Sequence, residues 1–224
     1  MGIKTLKTLR MLIPGLMILL ALIALKNSDL ISFADRLVGV KISRDSFQFY
    51  VVPLVLGALY YVVNLRSVFF RKPIRKIVDN IYVRLLAPFA NDVALGAYYD
   101  QLRSDPRVKQ VFYRFIDAEP DLREKANNVR MNGLVLSSLA DAAIIGLMFC
   151  PVYVIFYIWK STRYYLLLAI GALMAFIIIK LFLLPLATRR HIQYSNEQID
   201  SILGNNRPNL KKALLGLVGH DHAD

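Results

Sequence analysis

Asp141 and Lys180 are the two residues most out of place in this sequence. Each is a charged side chain set in an apolar run, Leu134 to Trp159 for Asp141 and Tyr164 to Ala187 for Lys180. An ionised group in hydrocarbon costs about 2.5–3.5 kcal/mol even on the lenient insertion scale, so such residues pair, face water or snorkel. Each lies about seven residues from the same end of its run, and the chain reverses near Ser161 and Thr162. That spacing places both charges at similar depth and predicts that they pair. A pair of this kind either clasps two helices or lines an aqueous path. The clasp is the simpler reading, because both groups lie close to a membrane surface; Lys180 can also snorkel to that surface by itself.

Other reactive residues are sparse. His220, Asp221 and His222 form a short terminal cluster, with His191 distant in sequence. A histidine–aspartate–histidine run in a tail is a weak metal signal, and no metal or other cofactor is expected. Asp117, Glu119, Asp121 and Glu124 alternate with Arg and Lys and read as the solvated start of a helix, where acids suit the positive end of the dipole. Motifs of phosphate-binding loops, zinc hydrolases, dithiol sites, nucleophile elbows and dinucleotide folds do not occur, so no enzymatic activity and no small-molecule substrate are expected. Cys150 is the single cysteine and lies in an apolar run, so no intrachain disulfide is possible.

The elements that must hold these residues follow from composition. The 224 residues are 56% hydrophobic, yet 20% are charged and the net charge is +12. Segregation reconciles these values: long apolar runs alternate with basic segments. A hydrocarbon core about 30 Å thick needs roughly 20 apolar residues of helix. Four stretches approach this, at about Met11 to Leu25, Phe49 to Leu65, Leu134 to Trp159 and Tyr164 to Ala187. Backbone polar groups in lipid must be satisfied internally, so each is read as a helix. The first is read as a retained signal anchor, since no small-residue cleavage pattern follows it. The expected fold is therefore an all-α integral membrane protein with four transmembrane helices. A helical cytoplasmic insert separates spans two and three.

Lys and Arg counts orient it. The N-tail carries three, the segment from Arg66 to Gly133 thirteen and the C-tail from Thr188 five, against four and two in the remaining loops. By the positive-inside rule both termini and the insert are expected to be cytoplasmic. Aromatic residues mark both interfaces: Phe47, Phe49, Tyr50, Tyr157, Trp159, Tyr164 and Tyr165 outside, and Tyr60, Tyr61, Phe69 and Phe70 inside. The organisation is then residues 1–65 (spans one and two), 66–133 (insert), 134–187 (spans three and four) and 188–224 (helix and tail).

Within the insert, Pro73 opens a helix on which Ile74, Ile77, Val78, Ile81 and Leu85 share one face. Arg71, Lys72, Arg75 and Lys76 make the opposite face basic, fit for anionic lipid, nucleic acid or a protein, or for simple solvation. Further helices are expected over Asn91 to Leu102 and Pro106 to Ala118, where Val108, Val111, Phe112 and Phe115 have core spacing. From Pro120 a helix runs without a strong break into span three. Ala187 to Asn205 extends span four, with a kink at Pro185. The insert, at about 68 residues, is too small to build much core and is expected to pack between protomers or on a partner. Small residues four apart, Ala142 with Gly146 and Gly171 with Ala175, suit close helix packing within the hairpin or between the protomers of a homo-oligomer.

The stretch DLREKANNVRMNGLVLSSLAD, Asp121 to Asp141, resembles the cytoplasm-to-membrane junction of membrane effectors in bacterial anti-phage systems, especially retron-associated ones. The resemblance implies an oligomeric inner-membrane toxin, restrained by a nucleoprotein complex and permeabilising the membrane when released. The alternative is an anchor or sensor that docks a soluble protein or nucleoprotein on its basic cytoplasmic face.

Overall fold

The computed structural model describes residues 3–26, 46–66 and 70–219. His220, Asp221, His222 and Phe69 lie outside the described residues, as do the side chains of Phe47, Phe49, Tyr50, Asp121 and Glu124. Among the described residues there is no strand, and the fold is all-helical.

The helices are α1 (Ile3–Lys26), α2 (Ser46–Val63), α3 (Arg71–Leu86), α4 (Tyr99–Ser104), α5 (Pro106–Ala118), α6 (Pro120–Lys160), α7 (Arg163–Ile178), α8 (Leu184–Asn205) and α9 (Arg207–Gly219). Three helical stretches are long and apolar enough to cross a membrane: Thr5–Leu25, Lys125–Lys160 and Arg163–Asn205. A fourth apolar stretch, Val52–Val63, is shorter over its described residues. The helix from Pro120 forms as expected and is 41 residues long, which at 1.5 Å per residue is about 60 Å.

The chain divides into two compact units, one of residues 1–71 and 134–186 and one of residues 72–133 and 187–224. All three divisions fall inside helices: after Arg71 in α3, after Gly133 in α6 and after Leu186 in α8.

In the first unit α1 and α2 meet at two glycines. A Cβ on Gly15 would stand 1.6 Å from the Pro53 carbonyl oxygen, and one on Gly57 would stand 1.8 Å from that of Met11. Only glycine permits backbones this close. The α6–α7 turn passes through Ser161 at φ 50°. There Phe156, Trp159, Tyr164 and Tyr165 stack edge-on or tilted, with the Lys160 ammonium over the Phe156 and Trp159 rings. Tyr153 and Tyr165 donate to the carbonyls of Ala21 and Leu25 at 3.2 and 3.1 Å, and so tie the hairpin to the C-terminal turns of α1.

In the second unit the insert shares one core with the C-terminal helices of the same chain. The buried side chains come from the insert (Leu85, Phe89, Leu102, Val108, Phe112, Leu122) and from the C-terminal helices (Ile199, Ile202, Leu210, Leu214). Polar ties join the same two segments: Asn80 to Asn196 at 2.7 Å, Arg84 to Asp200 through two guanidinium nitrogens, Asn206 to Glu119, and Lys211 to Asp92 at 2.7 Å. The supposed tail thus contributes to the core of the second unit.

Two local expectations also change. Helix does not begin at Asn91, because the Asp92 carboxylate accepts from the Ala94 and Leu95 N–H groups and holds a turn; regular helix starts at Gly96–Tyr98 and α4. The distortion expected at Pro185 takes the form of a π-turn over Ile179–Leu183, in which the Leu184 N–H donates to the Ile179 carbonyl five residues back. Proline offers no N–H, and the wider turn absorbs that missing bond.

A candidate intramembrane charge cluster

The end of α2 decides what Asp141 meets. After Val63 the chain turns at Asn64, whose φ of 50° lies in the left-handed region that asparagine tolerates better than most residues. Its N–H donates to the Tyr61 carbonyl at 3.1 Å. This turn stops α2 and presents Arg66 beside α6.

The Arg66 guanidinium grips Asp141 with two nitrogens, Nε to Oδ1 at 2.9 Å and Nη2 to Oδ2 at 2.5 Å. The Tyr60 hydroxyl, six residues before Arg66, donates to Oδ1 at 3.1 Å. Asp141 itself is 1% exposed, whereas the Arg66 side chain is 20% exposed. The planar fork matches a carboxylate edge, and the tyrosine supplies a third donor to a group that lipid would leave unsolvated. Chemically the arrangement neutralises and fastens; it holds no nucleophile and exposes no carboxylate edge to solvent.

The predicted Asp141–Lys180 pair is therefore corrected. Similar depth alone does not decide the partner of Asp141, because Arg66, at the end of span two, offers a second cation. An intramembrane acid near one face, with an arginine one turn beyond a neighbouring span on that face, was the available signal. Tyr60 was legible only as an interfacial aromatic.

Lys180 stands elsewhere. It lies on the π-turn, exposed, with its ammonium 5.3 Å from the centre of the Phe176 ring. Leu181 and Phe182 beside it are 61% and 67% exposed. Among the described residues no carboxylate pairs with Lys180.

The small-residue set is brought together only in part. A Cβ on Gly146 would stand 3.3 Å from the Ala172 carbonyl oxygen, so α6 and α7 do approach there. Nothing lies within 4 Å of the position on Gly171, Ala175 is exposed, and Ala142 is half-buried. The tight crossing is instead Gly15 on Gly57. Arg71, Lys72, Arg75 and Lys76 are all exposed on the first turns of α3, as their helical spacing predicts. No group of three metal-ligating side chains occurs among the described residues.

Comparison with known proteins yields no guide: no family model, no curated protein and no solved structure matches this chain.

Proposed function

We propose that this protein is an oligomeric membrane effector, with four spans and both termini in the bacterial cytoplasm, whose cytoplasmic unit controls the packing of its membrane helices. One observation carries this reading. Helices α6 and α8 run without interruption from the apolar unit into the cytoplasmic unit, and α6 carries the clasped acid Asp141. Because α6 belongs to both units, it is the connection by which the cytoplasmic unit would act on the Arg66–Asp141 clasp. Opening that clasp leaves a charge bare in lipid, which drives either closure or a new, wetter arrangement. The resemblance of Asp121 to Asp141 to retron-associated effectors supports the same reading. It suggests a nucleoprotein partner as the restraint and anti-phage defence as the setting.

The test is induced expression with a potential-sensitive dye. Wild type is expected to depolarise cells once its restraint is missing. Asp141→Asn, kept at equal abundance in the membrane fraction, should change the threshold for depolarisation. An unchanged potential under full induction, with and without the restraining partner, sinks the reading.

A second reading, a passive anchor that docks a soluble partner, is favoured by the closure of the Asp141 site. A fully paired acid is what a static clasp requires. It predicts no depolarisation at any level of expression, and partners that co-purify through the cytoplasmic unit.

A further inference from the structure

We propose that the first two turns of α3 bind the headgroups of anionic phospholipid. The helix is divided in its commitments. Ile77, Ile81, Leu85 and Leu86 are buried in the cytoplasmic core, and Asn80 and Arg84 bond to Asn196 and Asp200. The last basic residue of the helix thus has its own carboxylate. The earlier ones do not: Lys72, Arg75 and Lys76 are exposed and enter no ion pair among the described residues, and Arg71 opens the same face. Asp79 also lies on this face, so its four cations keep an excess of three positive charges. Ile74, between them in sequence, is 45% exposed and adds an apolar contact of the kind interfacial helices use.

Connectivity selects lipid over a soluble polyanion. Lys72 is only six positions after Arg66 in sequence, so at about 3.5 Å per residue it stays within roughly 20 Å of Arg66. Arg66 sits just past the apolar end of α2, on Asp141. A headgroup layer reached through so short a tether is present at high effective concentration, whereas a nucleic acid must be recruited from solution. Basic residues near an anionic surface each strengthen binding by about fivefold, and salt screens the effect over about 8–10 Å. The inference needs only that α2 ends at a membrane surface, and it holds equally for an effector and an anchor.

The test uses the full chain in lipid nanodiscs. With Cys150→Ala and Ile74→Cys, a fluorophore at position 74 is quenched by spin-labelled headgroups. Discs of phosphatidylcholine with about one third phosphatidylglycerol should give at least about threefold stronger quenching than phosphatidylcholine alone. The excess should vanish in about 0.5 M NaCl and in the triple variant Lys72→Gln, Arg75→Gln, Lys76→Gln. The salt arm uses unchanged charges, so it stands even if the triple variant folds poorly. Equal quenching in both lipids overturns the proposal. So does a duplex oligonucleotide that binds through these lysines and arginine in discs where phosphatidylglycerol has no effect.

Discussion

The Arg66–Asp141 pair is asymmetric, and the asymmetry predicts different costs for its two halves. Asp141 is almost sealed, while Arg66 keeps part of its side chain in contact with the surroundings. Removing Arg66 strands a buried carboxylate with only Tyr60 as donor, and Arg66→Met is expected to cost about 3–5 kcal/mol. Asp141→Asn leaves a guanidinium that can reach the headgroups, so its cost should be about half that or less. Thermal unfolding in detergent should rank them in that order, and the double variant Arg66→Met, Asp141→Leu should recover most of the loss. If Asp141→Asn proves the worse variant, the charge is valued for something other than the clasp. A second residue-scale prediction concerns Asp92, whose carboxyl is held below its ordinary range, first by the Lys211 ammonium and then by the Ala94 N–H. A depressed carboxyl adds stability at pH values above its unfolded pKa of about 3.9 and loses it as pH falls through the folded value. The melting difference between wild type and Lys211→Met should therefore be constant at neutral pH and shrink only in acid below about pH 4.

At the scale of elements, glycine positions separate real crossings from apparent ones. Gly57→Ala must drive a methyl group into the Met11 carbonyl, which is backbone and cannot step aside. It should cost about 3 kcal/mol or more by overpacking. Gly171→Ala meets nothing within 4 Å and should be neutral or add up to about 1 kcal/mol through helix propensity. Melting of the two variants in one detergent checks the contrast; equal losses would mean that α7 packs more tightly than its open glycine indicates. These same elements show what the sequence could and could not reveal. The helix starts at Pro106 and Pro120 were legible, because proline suits a first turn and Asp105 caps the first of them by accepting from the Arg107 N–H at 2.7 Å. The apolar runs were legible because lipid demands length. Helix partners were not. A small-xxx-small pattern says that a close approach is possible, never which helix makes it, and the closest crossing is at Gly15 and Gly57. The partner of Asp141 was hidden for a related reason: Arg66 reaches it only because Asn64 adopts a left-handed turn, and asparagine in a sequence signals that option without fixing it.

At the scale of the whole molecule, the decisive feature is that α9 completes the core of the second unit. Asn205 and Asn206 break α8, and the sequence beyond them has a proline and two glycines within a dozen or so residues, which disguised α9 as a tail. Yet Leu210, Leu214 and Val218, at the i, i+4, i+8 spacing of one helix face, are buried, the first two fully. Burying a large aliphatic side chain contributes about 1.5–3 kcal/mol, so three of them approach the entire stability of a domain of this size, about 5–15 kcal/mol. Ending the chain after Asn206 should therefore unfold the second unit while the apolar helices still enter the membrane. Hydrogen exchange should show fast exchange throughout α5, whose Val108, Val111, Phe112 and Ile116 lose their cover, but continued protection in α7. Leu214→Ala, a milder change at a fully buried site, should cost about 2–5 kcal/mol and raise exchange in the same helix without abolishing its folding. A truncated chain with α5 still protected would mean that another copy or a partner can supply the missing face. That result would return the insert to the dependence its size alone suggests.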